Sequence, residues 1–304
     1  MKHWIAVASF AVLAGAQQKP PAVEESSRPI SVDVERVNLL FAVTDKKGRF
    51  ITDLAKEDLV VFEHKKDQQI MEFTAESDLP LRLAILIDTS NSVRDRFKFQ
   101  QEAALEFIRN VLRPKQDKAT IIGFDTSAEL IADLTNDIDK LEKGIKSLRP
   151  GGGTALFDAV FFAARDKLMQ DAPMHKFRRA MVIVGDGDDN QSRYSRDQAL
   201  EMTQKADTVI YTISTNITRQ ESEGDKILKY LAFETGGLSF FPFKVTDLTQ
   251  SFENISNELR HQYSLLYKPD PFKRDGLFHP VELKLKSRKS LIVRVRRGYF
   301  APKM

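Results

Sequence analysis

The sequence predicts a doubly wound α/β domain set between two β-rich arms, in a chain of 304 residues. Three observations carry that prediction. Two continuous apolar runs, LRLAILID (81–88) and RRAMVIVGD (178–186), suit strands buried on both faces of a parallel or mixed sheet. Between and after them, strand-like segments alternate with helix-period segments, the pattern of right-handed β–α–β winding. Both ends of the chain instead space their apolar residues at two.

The chain opens MKHWIAVASFAVLAGAQQ. A short polar start, an apolar run from Trp4 to Leu13 and the small-x-small triplet Ala14-Gly15-Ala16 read as a secretory signal over 1–16, with Gln17 as the new N-terminus. An uncleaved anchor is the competing reading, but the run falls well short of the roughly 20 residues that span a bilayer. The protein is therefore expected to be exported, periplasmic or extracellular, with no transmembrane span in the mature chain. Residues 17–29, polar and proline-bearing, read as a flexible leader.

Residues 30–79 read as an N-terminal β segment. Val32, Val34, Val37, Leu39, Phe41 and Val43 are spaced largely at two, with a slip at Glu35-Arg36 that suggests a bulge. Asp45-Lys46-Lys47-Gly48 has turn chemistry, and 59–73 holds two short strands around a polar patch, His64 to Gln69. The α/β domain is bounded at 80–259. After its first buried strand come a helix at 97–112, strands at 118–125 and 129–134, and helices at 138–148 and 155–170. The second buried strand leads to helix 195–206, strand 207–214, helix 224–235, strand 238–243 and helix 247–262. Residues 260–304 return to strand period. Three strands alone are marginal in water, so the two arms are expected to pair into one β-sandwich module with the α/β domain inserted between them. Two separate small caps are the alternative.

Composition narrows the function. Apolar residues are 42% and charged residues 29%, enough to bury a core. The absence of cysteine excludes a disulfide scaffold, a thiolate–zinc site and a thiol nucleophile. The five histidines fall in no H-E-x-x-H spacing, and no G-x-S-x-G elbow occurs, so an exported hydrolase has little support. A net charge of +3 argues against nucleic acid as a partner. The basic charge is concentrated in 260–304, where Lys and Arg alternate with apolar residues in Leu283-Lys284-Leu285-Lys286 and Val293-Arg294-Val295-Arg296. That alternation reads first as a solvated sheet face and second as a contact for an anionic surface.

In doubly wound sheets, ligands bind beyond the carboxyl ends of the strands. The first buried strand ends in Asp88-Thr89-Ser90-Asn91-Ser92, and the second in Gly185-Asp186-Gly187-Asp188-Asp189-Asn190. Gly151-Gly152-Gly153-Thr154 precedes an apolar helix. These side chains are hard oxygen donors suited to a small divalent cation. Neutral hydroxyls around such an ion leave it under-neutralised and able to accept an acidic group from a partner. Taken singly, Ser90 and Ser92 also suit a helix cap and Asp88 a turn. Asp186, Asp188 and Asn190 mimic the start of a calcium loop, but Gln191 and Asp197 stand where an EF-hand needs Gly and Glu. Asp188 and Asp189 are read as solvated loop acids or rim charges. The three glycines lack the Lys-Ser/Thr of a phosphate loop.

Together these motifs resemble the von Willebrand factor type A domain with its metal-ion-dependent adhesion site. The resemblance implies metal ligation by Asp88, Ser90 and Ser92 of DTSNS, Thr154 of GGGTALFDA and Asp186 of VGDGDDN. The serines and threonine would meet the metal directly and the two aspartates often through water. Gly185 departs from the family, which often has Ser or Thr there. The flanking segments 37–63, 259–270 and 293–302 are similar to the exported VWFA-related proteins of Acidobacteria. The resemblance implies the fold and the metal motif; the open metal position adds the expectation of a non-enzymatic module that uses Mg²⁺, with Mn²⁺ or Ca²⁺ as substitutes, to bind a protein ligand carrying an acidic residue. A structural or assembly factor of the cell envelope, with a closed metal site, is the alternative.

Overall fold

The computed structural model describes residues 36–74, 79–170, 176–216, 218, 220–242, 244–287 and 290–303. The expected signal (1–16), leader (17–29) and bulge at Glu35 lie outside the described residues. In chain order the elements are β1 (Val37–Thr44), β2 (Leu59–Glu63), β3 (Lys66–Thr74), β4 (Leu81–Asp88), α1 (Phe97–Val111), β5 (Lys118–Phe124), β6 (Ala128–Thr135), α2 (Ile138–Ser147), α3 (Leu156–Phe162), β7 (Arg178–Gly185), α4 (Arg196–Lys205), β8 (Thr208–Ser214), α5 (Glu223–Thr235), β9 (Ser239–Phe240), α6 (Val245–Arg260), β10 (Tyr263–Lys268), β11 (Phe278–Leu285), β12 (Ile292–Val295) and β13 (Gly298–Phe300).

Six strands form a mixed sheet in the order β6-β5-β4-β7-β8-β9. Only β6 runs antiparallel, against β5. β4 is central, and every one of its residues is buried. The reason is that both sheet faces are covered. Leu81, Leu83, Ile85 and Ile87 pack with α1, α2 and α6 through Phe107, Ile108, Leu141, Phe252 and Ile255. Ala84 and Leu86 point the other way, into a core shared with α3, α4 and α5 through Leu156, Val160, Leu200 and Leu228. The continuous apolar runs are thus two interleaved period-two patterns, one for each face.

The segment expected as a single helix over 155–170 is α3 followed by a π-helical stretch, Ala163–Leu168. There the amide of Met169 donates to the carbonyl of Ala164, five residues back. Of the strand expected at 238–243, the described residues 238–242 keep only the two of β9, at the open edge of the sheet, and residue 243 lies outside the described residues.

The two arms pair with one another. Their strands form one antiparallel sheet in the order β12-β1-β10-β3-β2-β11-β13. β12 and β13 occupy opposite edges of that order, yet only Arg296 and Arg297 separate them in the chain. The sheet must therefore curl until its edges meet, so the sandwich anticipated from sequence is hydrogen-bonded as one rolled sheet. Phe41, Leu39, Val61, Leu265, Tyr267 and Leu283 fill its interior. The hairpin between β2 and β3 turns on His64 and Lys65, both with positive φ (52° and 64°) as a type I′ turn requires.

β1 is buried along both faces because its outer face lies against the α/β domain. The join is built from the basic arm. The Arg294 guanidinium donates to Glu258 of α6 at 2.9 Å and to Thr44 at 3.2 Å. Arg296 pairs with Asp207 at 2.8 Å and donates to the Asn38 carbonyl. The Arg297 amide donates to the carbonyl of Glu234. Gly236 permits this approach, because a Cβ there would stand 2.6 Å from the Arg296 amide nitrogen. The alternating basic pattern therefore divides. Lys284 of β11 and Lys286 just beyond it face water as expected, whereas Arg294 and Arg296 turn inward against acids of the α/β domain. Glu258 is fully buried and burial raises its pKa, an effect that Arg294 opposes.

Removing one partner of a buried ion pair strands the other, at a cost of about 3–5 kcal/mol. Arg294→Met is expected to lower the unfolding free energy by about 3 kcal/mol in urea denaturation. The double variant Glu258→Gln/Arg294→Met should recover most of that loss. Equal losses in both variants would show that the pair is not what holds the join.

Candidate functional site

β4 and β7 are parallel neighbours, and the chain leaves them toward opposite halves of the sheet. This is the switch point at which a crevice opens beyond the strand ends. Asp88 is the last residue of β4 and is fully buried. Its Oδ1 accepts the Ser90 amide at 2.8 Å, which bends the chain sharply out of the strand. The Ser90 and Ser92 hydroxyls lie 2.8 Å apart. Asp186 follows β7, half-buried, and its carboxylate acts electrostatically on Asp88.

Thr154 reaches the same crest through backbone ties. The Gly151 amide donates to the Thr89 carbonyl, and the Asn91 amide to the Gly152 carbonyl. The Thr154 amide donates to Asn190 Oδ1 at 3.0 Å, while its carbonyl accepts the amides of Asn190 and Gln191 at 2.9 and 3.0 Å. The loops after β4, before α3 and after β7 are therefore laced into one unit. Asp88, Ser90, Ser92 and Asp186 stand together, and Thr154 is buried between the loops that carry them.

Asp88 Oδ2 is buried and has no hydrogen-bond partner. Among the described residues Asp88 forms no ion pair. Burial, with a contribution from the Asp186 charge, raises its pKa to about 7, against hydrogen bonding by Ser90 and by the Asp186 backbone that lowers it. An orphaned, buried carboxylate oxygen beside two hydroxyls and a second carboxylate fits a hard divalent cation, which would supply the missing counter-charge. Gly185 belongs to the same fit. A Cβ there would stand 2.8 Å from Asp88 Oδ2, so in this chain a serine or threonine would crowd the carboxylate.

Several acids complete the setting. Asp125, just after β5, lies under Gly152, which has φ of 77° and where a Cβ would stand 3.1 Å from the Asp125 carboxylate. Asp188 is exposed, and its pKa is raised by partial burial and by Asp186 and Asp225. Asp189 is not a rim charge. Its Oδ2 accepts the Phe157 amide at the start of α3 and the Ser192 hydroxyl, so it caps that helix. Asp225 accepts the Ser214 hydroxyl, the Asn216 amide and the Ser222 backbone amide. Burial alone would raise its pKa, but these bonds outweigh it and the net shift is downward. Asp225 anchors the start of α5 beneath the Asp186 loop. There Gly187 and Gly224 allow backbone contact, since a Cβ on Gly187 would lie 2.2 Å from the Gly224 carbonyl oxygen.

Residues 83–188 match the family model of the von Willebrand factor type A domain, and the chain carries such a domain. Human von Willebrand factor A domain-containing protein 3B is 28% identical over 180 residues, which are 57% of this chain but only 13% of that much longer protein. A von Willebrand factor type A structure from Catenulispora acidiphila superposes with a TM-score of 0.52 at 12% identity, over 90% of this chain and 75% of that one. Proximal thread matrix protein 1 of the mussel byssus, solved with a zinc-occupied MIDAS motif, gives a TM-score of 0.52 at 15% identity, over 65% of this chain and 49% of its own. At these identities the structural likeness is one of fold.

The glycine pair that seats the Asp186 loop gives a stability prediction. Gly187 has φ of 83° and no room for a Cβ. Gly187→Ala should lower stability by about 2–4 kcal/mol, from left-handed backbone strain and overpacking together. A urea midpoint unchanged from the parent would contradict this packing.

Proposed function

We propose that this chain is an exported, non-enzymatic binding module. In it Asp88, Ser90, Ser92, Thr154 and Asp186 hold one divalent cation, Mg²⁺ by preference and Mn²⁺ or Ca²⁺ as substitutes. The observation that carries the reading is the unpartnered, buried Asp88 Oδ2 beside the paired serine hydroxyls. With three neutral hydroxyls in direct contact and the two acids acting through water, the ion lacks a directly bound negative charge and takes a carboxylate from a protein partner. The mussel matrix protein, whose MIDAS motif is occupied by zinc, supports a divalent ion for the similar motif proposed in this chain. No helix among the described residues is long and apolar enough to cross a membrane.

The partner's carboxylate is the part of the chemistry that lies outside the chain. What the chain does is hold donors in place. The β4 loop runs into a short 3₁₀ segment, Asn91–Arg96, and then into α1. α1 packs on α6 through Phe107 and Phe252, whose rings stand 4.7 Å apart. α6 carries Glu258, which is clamped to Arg294 of the β module. Ligand binding at the strand ends thus shifts α6 and reorients the β module.

Two measurements test this reading. In calorimetric titration, Asp88→Asn should weaken Mg²⁺ binding at least about tenfold, equivalent to about 1.4 kcal/mol. The same variant should melt no lower than the parent in EDTA, because it removes a charge that burial penalises. Unchanged Mg²⁺ affinity would reject the site. For the coupling, hydrogen exchange should show Mg²⁺ altering protection of the β12 amides in the parent and not in Arg294→Met. An equal response in both would reject the route through α6.

A further inference from the structure

A second cluster of metal-ligating groups stands in the β module, away from the strand-end site. Glu63 ends β2, His64 begins the hairpin turn and His279 lies in β11. Their donor atoms face one another. His64 Nε2 is 3.0 Å from His279 Nδ1, His279 Nδ1 is 3.3 Å from Glu63 Oε1, and His64 Nε2 is 3.8 Å from Glu63 Oε1. A tetrahedral ion with bonds of about 2.0–2.1 Å needs donors roughly 3.3 Å apart. The observed triangle scatters around that edge.

The surroundings select a metal ligand at each position. His279 is buried, and its Nε2 donates to the Asp275 carboxylate at 3.0 and 3.3 Å. That bond places the proton on Nε2 and leaves the Nδ1 lone pair facing Glu63 and His64. It is the carboxylate–imidazole arrangement that orients metal-bound histidines. Glu63 is also buried. The Tyr267 hydroxyl donates to its Oε2 at 2.8 Å and the Tyr299 hydroxyl to its Oε1 at 3.1 Å. Burial and the neighbouring Glu63 carboxylate push both phenols upward, so they remain hydrogen-bond donors. Among the described residues, the ion-pair partners of Glu63 are these two imidazoles and no lysine or arginine. Buried carboxylates are paired or bound to metal, and a divalent cation held by all three groups would supply the charge that pairs this one.

We propose that Glu63, His64 and His279 bind a borderline divalent cation of the Zn²⁺ class, with Asp275, Tyr267 and Tyr299 as orienting groups and a water as the fourth ligand. Imidazole and carboxylate together suit Zn²⁺ better than Mg²⁺. The ion joins the two arms directly, linking the β2–β3 turn to β11 across residues 215 apart in sequence. It is independent of the cation proposed for Asp88.

The test uses the full chain with Mg²⁺ in excess and Co²⁺ as a spectroscopic probe. One equivalent of Co²⁺ should give the visible bands of a four-coordinate ion, and Zn²⁺ should displace it and raise the melting temperature. His64 is suited to substitution because it sits half-exposed in a turn. His64→Ala should abolish the bands, Asp275→Asn should weaken binding about 10–100-fold, and Asp88→Asn should leave the bands intact. Absent bands in the parent, or bands that survive His64→Ala, would overturn the proposal. Bands lost in Asp88→Asn but kept in His64→Ala would place the ion at the strand ends instead.

Discussion

The carboxylate of Asp88 is held at the carboxyl end of the central strand, where protein covers it on every side and one oxygen goes unpaired. Leaving a charged group so buried is costly, and the fold is arranged around that cost. β4 is central because both of its faces are needed for core packing. Its last side chain is therefore carried into the interior, to the point where β4 and β7 part company. Around it the chain supplies glycines where backbones must touch, and a lattice of amide–carbonyl bonds that ties three loops together. The loops are tied through their backbones, and the hydroxyls of Ser90 and Ser92 stand 2.8 Å apart beside Asp88.

A second constraint concerns the join between the two halves. The α/β domain interrupts the β module in sequence, so the module closes only when residues near 40 and near 295 meet. Charge decides how they meet. Arg294 and Arg296 project from the closing strand onto Glu258 and Asp207, and neither acid has comparable access to water once the join is made. α6 is consequently fixed at one end by the rolled sheet and along its length by α1. The element nearest to the module is also the one packed against the helix that leaves the candidate site.

Much of this was legible in the sequence because the signals are local. DTSNS follows an apolar run directly, Asp186 lies between two glycines after another, and Thr154 closes a glycine triplet. Each motif announces a strand end or a loop, and strand ends are where a doubly wound sheet gathers its chemistry. What was misread depends on partners far away in the chain. Asp189 looks like one more loop acid until the amide of Phe157, 32 residues earlier, is found beneath it. The alternation around Arg294 fits a solvated face, and only the docking of β1 and β12 on the α/β domain turns that face inward. The π-helical stretch after α3 has no glycine or proline to mark it. Five scattered histidines gave no spacing motif, yet two of them stand 3.0 Å apart because a hairpin turn and a strand more than 200 residues later share one corner of the rolled sheet.

The central claim is that the donors gathered around Asp88 enclose one cation. It is tested most directly by a crystal grown with Mn²⁺ and measured at a wavelength where manganese scatters anomalously. The account predicts a single anomalous peak among Asp88, Ser90, Ser92, Thr154 and Asp186, within bonding distance of the serine hydroxyls. Well-ordered loops with no peak there, or a peak with Thr154 or Asp186 turned away from it, would contradict the account.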